Sequence, residues 1–140
     1  MFTNILIAYD GSEHARKAVM IAADLAREHG SGSRLWIVTV MEEPGRELGE
    51  PYLSRLIAER TMAGQALIDE ATALVKDGVD LRSDLMFGAP ADCIVQVART
   101  RDCDLIVMGT RGLSPIREVL VGSQAQKVIS HAPCPVLMIK

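Results

Sequence analysis

Three apolar runs of four to six residues carry no polar–apolar alternation: Ile5-Leu6-Ile7-Ala8, Leu35 to Val40, and Leu105-Ile106-Val107-Met108. Short continuous runs of this kind predict strands buried on both faces of a parallel sheet. A fourth, Leu81 to Phe87, alternates in part through Arg82, Ser83 and Asp84, which is the pattern of an edge strand. The fifth is Val136-Leu137-Met138-Ile139.

Helical periodicity fills the intervals. Ala15, Ala18, Val19, Ala22, Leu25, Ala26 and His29 follow i, i+3, i+4 spacing up to Gly30. A longer stripe runs from Leu53, Leu56 and Ile57 to Leu74 and Val75, and Gly78 is read as its end. Ile94, Val97 and Ala98 mark a third helix with Pro90 in its first turn, and a fourth is expected from about Ser123 to Ser130, before Pro133 and Pro135. The resulting order, β-α-β-α-β-α-β-α-β, predicts a doubly wound α/β domain spanning residues 1–140, with a five-stranded parallel sheet and helices on both faces. The long connection from Met41 to Tyr52 reads as a surface loop before it reads as a lid, because it gathers no reactive groups.

Composition narrows the functions such a domain can have. The chain has 140 residues and a net charge of −3, so no global field attracts DNA or anionic lipid, and any polyanion must be met by a local site. Five aromatic residues leave few platforms for stacking single-stranded bases. Neither a nucleic-acid nor a membrane partner is therefore expected. Cys93, Cys103 and Cys134 are odd in number and form no C-x-x-C, which suits a reducing cytoplasm. No run approaches the roughly 20 apolar residues of a membrane span, and the N-terminus lacks the basic region of a signal peptide.

Candidate chemistry concentrates in glycines that follow strands. Gly11, Gly88 and Gly109 fall at strand carboxyl ends, where open α/β sheets bind ligands, although tight βα turns use glycine with or without one. More informative is Gly109-Thr110-Arg111-Gly112, then nine residues, then Gly122-Ser123 at the start of a helix whose free N–H groups favour an anion. Ser123 is also placed to cap that helix, with Gln126 completing a Ser-x-x-Gln box. Asp10, in Asp10-Gly11-Ser12, suits either a turn or a bond to an adenine amino group or ribose hydroxyl, while Ser12 reads as an N-cap.

Together, Ile5-Leu6-Ile7-Ala8-Tyr9-Asp10-Gly11-Ser12, Val107-Met108-Gly109-Thr110-Arg111-Gly112, Gly122-Ser123 and Ala132-Pro133-Cys134-Pro135-Val136-Leu137 resemble the universal stress protein family. The resemblance covers essentially the whole chain, and the glycine signature G-x2-G-x9-G-[S/T], which marks the ATP-binding members, is intact. It implies an adenine nucleotide alpha hydrolase-like sheet of order 3-2-1-4-5. It also implies a site in which Asp10, with Ala8 and Tyr9 alongside, meets adenine or ribose. Val40 would contact adenine through its backbone, and Met108 and Gly109 would border the ribose. Gly112, Gly122, Ser123 and Gln124 would hold phosphates through main-chain N–H groups, although Gln124 stands where the family commonly has a small apolar residue. Arg111 is an added phosphate candidate of equal standing with a solvated loop charge, and Arg117 a weaker one.

The implied ligand is ATP, with any Mg2+ carried in by the nucleotide. Strand five, apolar and at a sheet edge, is expected to pair antiparallel with a second copy through Val136–Ile139. A nucleotide-dependent regulator whose 111–121 loop is ordered by binding is the leading expectation. A nucleotide-independent dimeric scaffold and a slow ATPase are the alternatives, since no general base is evident. The P-loop lysine, the nicotinamide G-x-G-x-x-G, the paired acids of a phosphoreceiver and an H-x-G-H signature are all missing. His14, His29 and His131 are scattered and read as helix-face or helix-end residues.

Overall fold

The computed structural model describes residues 2–110 and 122–140. Its elements are β1 (Asn4–Ala8), α1 (Glu13–His29), β2 (Arg34–Met41), a 3-10 turn (Arg46–Leu48), α2 (Tyr52–Val75), β3 (Asp80–Phe87), α3 (Pro90–Thr100), β4 (Leu105–Gly109), α4 (Ser123–His131) and β5 (Val136–Ile139). The sheet order is β3-β2-β1-β4-β5, and every neighbouring pair is parallel. The expected doubly wound topology is the one observed. The partly polar strand β3 and the apolar strand β5 occupy its two edges.

The unbroken apolar runs are explained by two cores. Ile5, Ile7, Leu35, Ile37, Leu105 and Val107 pack against α1 and α2 on one face of the sheet. Leu6, Ala8, Trp36, Val38, Ile106 and Met108 pack against α3 and α4 on the other. Successive residues of a strand point to opposite faces, so a strand covered on both sides has no polar position to spare. The α1 face is built almost wholly of alanine: Ala15, Ala18, Ala22, Ala23 and Ala26 are buried beside Val19. Small side chains bring this helix close to the sheet, above the junction of β1 and β4.

Ser12 caps α1 as read, accepting from the Ala15 N–H at 3.2 Å, and Gly30 ends the helix at φ 88°. Two helix ends differ from the sequence reading. α2 stops at Val75 with Lys76 at φ 62°, two residues ahead of Gly78. The N-cap of α4 is Gly122 rather than Ser123, and no side chain among the described residues caps it. Gly122 already has extended backbone (φ −61°, ψ 155°), and its carbonyl accepts from the Gln126 N–H at 3.0 Å. Ser123 is thereby the first helical residue, and the Ser-x-x-Gln capping box does not form.

Candidate functional site

β1 and β4 are neighbours, with Ile5, Leu6 and Ile7 in register with Leu105, Ile106 and Val107, so their carboxyl ends open side by side. This is where the strand order reverses, the position at which doubly wound sheets bind ligands. Asp10 leaves β1 here, and its Oδ1 accepts from the Ser12 N–H at 3.0 Å. The turn role is therefore real. It occupies one carboxylate oxygen and leaves the other without a partner among the described residues.

The period-2 alternation sorts the site residues by face. Ala8, Val40 and Met108 have their side chains on the α3/α4 side of the sheet. Tyr9, one residue on, turns its ring the opposite way, into the core beneath α1 and α2. Its hydroxyl donates to Glu70 at 2.5 Å, and Arg16 donates to the same carboxylate at 3.0 Å. Burial first, then the Glu70 bond, raises the Tyr9 phenol above its usual range, and the Glu70 carboxyl is held below its own chiefly by that phenol. Only the Tyr9 backbone remains at the strand end, where its N–H donates to Val38 O at 2.9 Å and its carbonyl accepts from the Thr39 hydroxyl at 3.0 Å. The ring is thus buried away from the strand end, on the α1/α2 side of the sheet.

Gly109 has a packing reason to be small. A Cβ at this position would lie 2.6 Å from His14 Cβ and 3.0–3.1 Å from the His14 and Ala15 backbone. The missing side chain admits the first turn of α1. Beyond it, Thr110 ties three elements together. Its N–H donates to Ile139 O of β5 at 2.9 Å, and its carbonyl accepts from the Gly122 N–H at 3.0 Å. Its hydroxyl lies 3.1 Å from His14 Nδ1. The second half of the glycine signature is thereby fixed beside the end of β4. Arg111, Gly112 and Arg117 lie outside the described residues.

Ser123 is exposed at the first position of α4, and Ala125 is buried two residues later. Between them Gln124 turns its side chain across to α3, where Oε1 accepts from the Ala91 N–H at 3.1 Å. The structure thus brings Asp10, Gly109, Gly122, Ser123 and Gln124 to one end of the sheet, beside the strand ends of Ala8, Val40 and Met108. Sequence reasoning missed the His14–Thr110 and Ala91–Gln124 contacts. They join residues 96 and 33 positions apart, and no local pattern signals either. A cavity of about 610 Å³ lies elsewhere, between α3 and α4, lined by Val95, Gln96, Arg99, Lys127 and His131. At its other end it is lined by Ala91 and Asp92 of the first turn of α3, and neither Asp10 nor Gly109 lines it.

The fold is that of a doubly wound α/β protein, and the candidate site lies at the junction of β1, β4 and α4. The family model described as "Universal stress protein family" matches residues 1–140, and the chain belongs to that family. It is 43% identical over 141 residues to a universal stress protein of Thermus aquaticus, with 100% of both chains covered. Among solved structures it is similar to universal stress protein UspA from Lactobacillus plantarum, at TM-score 0.86 and 28% identity, covering 99% of this chain and 98% of that one. It also resembles a universal stress protein solved in complex with cAMP, at TM-score 0.76 and 27% identity, covering 99% and 97%. No helix among the described residues is long and apolar enough to cross a membrane.

Proposed function

We propose that this protein binds ATP at the carboxyl ends of β1 and β4 and acts in the cytoplasm as a nucleotide-dependent regulator of the stress response. The observation that carries the reading is the bare first turn of α4. Its N-cap is a glycine, no side chain among the described residues caps it, and the turn opens beside the end of β4, where Gly122 N–H meets Thr110 O. Uncapped main-chain N–H groups at a helix N-terminus suit phosphate oxygens, and the helix dipole adds to that preference. The free Asp10 oxygen suits the hydroxyls of a ribose or the amino group of adenine. Ala8, Val40 and Met108 offer an aliphatic side for the base on the face that α4 shares. These donors are made for an anion and not for a cation, so Mg2+ would arrive with the phosphates. The cAMP complex of a relative supports an adenine nucleotide as the ligand class.

Titration calorimetry with ATP, GTP and cAMP, on the wild type and on Gly122→Val, tests this reading. ATP is expected to bind the wild type best. The valine side chain should weaken it by about tenfold to a hundredfold, the equivalent of one or two charge-assisted hydrogen bonds. Equal affinity in the two proteins would remove the site, and a wild type that binds none of the three points to the scaffold role. A turnover assay on the same samples separates a binder from a slow ATPase.

The working unit in this reading is a homodimer joined through β5. That strand ends the sheet, and Leu137 on it is 37% exposed with no charge along Val136–Ile139 to discourage pairing. Sedimentation should show a dimer at micromolar concentration and a monomer for Leu137→Lys. A dimer that survives truncation after Pro135 would overturn the assignment.

A further inference from the structure

We propose that Gln124 is a positioning residue for the phosphate end of the bound nucleotide, its side chain locking the first turns of α3 and α4 together. The inference rests on the adenine-nucleotide reading above and gives this side chain a task within it. α3 starts at Pro90 after Ala89, whose methyl group can cap nothing, and no side chain of its own segment does so. Its Ala91 N–H is instead satisfied from another helix, by Gln124 Oε1. Gln124 is the second residue of α4, so its own main-chain N–H is one of the donors left for an anion. A single residue thus serves two helix starts, with its side chain on α3 and its backbone on the phosphate site.

The chemistry of the carboxamide fixes its orientation. The oxygen is held by a donor, so the NH2 group is turned from that N–H. At the other end of the pair, Arg99 Nη2 donates to His131 O at 3.2 Å, so α4 is tied to α3 near both of its ends. A short helix fixed in this way presents its amides without reorganising when the phosphate arrives, which favours binding. Glutamine at this position, in place of a small apolar residue, is therefore a brace and not an obstruction.

Two substitutions separate the brace from the ligand. Gln124→Met removes both ends of the carboxamide, whereas Gln124→Glu keeps an oxygen for the Ala91 N–H but adds a negative charge. Hydrogen exchange should show the Ala91 amide losing protection in Gln124→Met and keeping it in Gln124→Glu. Calorimetry should show ATP affinity falling about fivefold in Gln124→Met and about tenfold or more in Gln124→Glu, with AMP affected less than ATP. Adenosine affinity should change by less than about twofold in both. ATP affinity within twofold of wild type in Gln124→Met, or equal losses for ATP and adenosine, would overturn the inference while leaving the nucleotide site standing. A wild type that binds no adenine nucleotide overturns the site reading itself, and this inference with it.

Discussion

The two ends of the sheet are built on opposite plans. At the amino end, side chains close off the backbone. Asp104 accepts from the Thr3 N–H and hydroxyl at 2.9 and 3.1 Å and from the Asn4 N–H at 3.1 Å. Asn4 then accepts from Trp36 Nε1 at 2.8 Å, and the Arg101 guanidinium lies 4.4 Å from the centre of the Trp36 ring while pairing with Asp84. At the carboxyl end, among the described residues, α4 has no side-chain cap, α3 borrows one from Gln124, and Asp10 commits one oxygen of two. The amino end spends its polar side chains on the fold; the carboxyl end leaves donors and acceptors for something else. In the proposed reading, stability and binding are thus separable by position along the same strands.

Asp104→Ala should give the largest stability loss, because it strips three hydrogen bonds from partly buried groups. About 3 kcal/mol is expected from urea denaturation, with ATP affinity within about twofold of wild type. A large loss of affinity in a still-folded Asp104→Ala protein would break the separation. Gly109→Ala should cost about 1–3 kcal/mol by overpacking α1 against β4. If that variant keeps its stability and loses nucleotide, the missing side chain serves the ligand and the contrast needs redrawing.

Tyr9→Phe should lower Tm by about 2 °C and leave binding intact, since the hydroxyl faces Glu70 and not the ligand edge. Its pH dependence has a definite sign. The Glu70 carboxyl is held below its usual value, chiefly by the Tyr9 phenol. The wild-type advantage should therefore be full above the ordinary carboxylate pKa and vanish as pH falls through the folded value. A difference that persists undiminished in acid would remove Glu70 as its source.

The smallest effect sharpens the amino end. Burial first, then the neighbouring Cys134, pushes the Cys103 thiol up to about 12. Cys103 should resist alkylation in the native protein at pH 8 and react on unfolding, because the thiolate is the nucleophile. The stabilising contribution of its neutral form is present below pH 9 and is lost as pH rises towards 12. Rapid native labelling of Cys103 would contradict the packed environment.

Much of the fold was legible because burial on two faces leaves a plain mark. Ile5 to Ala8 and Leu105 to Met108 read as central strands since no polar residue interrupts them, and Arg82 and Asp84 gave away β3 as an edge. Helix boundaries were legible only where the terminating residue acts locally. Gly30 and Ser12 did so, whereas the α4 cap moved one residue, from Ser123 to Gly122, because the backbone of Gly122 had already taken the cap position.

For the candidate site, Gly109, Gly122 and Asp10 were expected at one end of the sheet and lie there, but the contacts of individual residues were not readable. Gly109 yields to His14, Gln124 reaches Ala91, and Tyr9 turns to Glu70. By itself the sequence determined the strand order of events, the two-faced core, the apolar last strand and the family. Only the tertiary structure decided which side chains spend their hydrogen bonds on the fold and which donors remain over. Periodicity records burial, a property each element carries along its own length, while partners across the sheet are set by contacts between residues far apart in the chain.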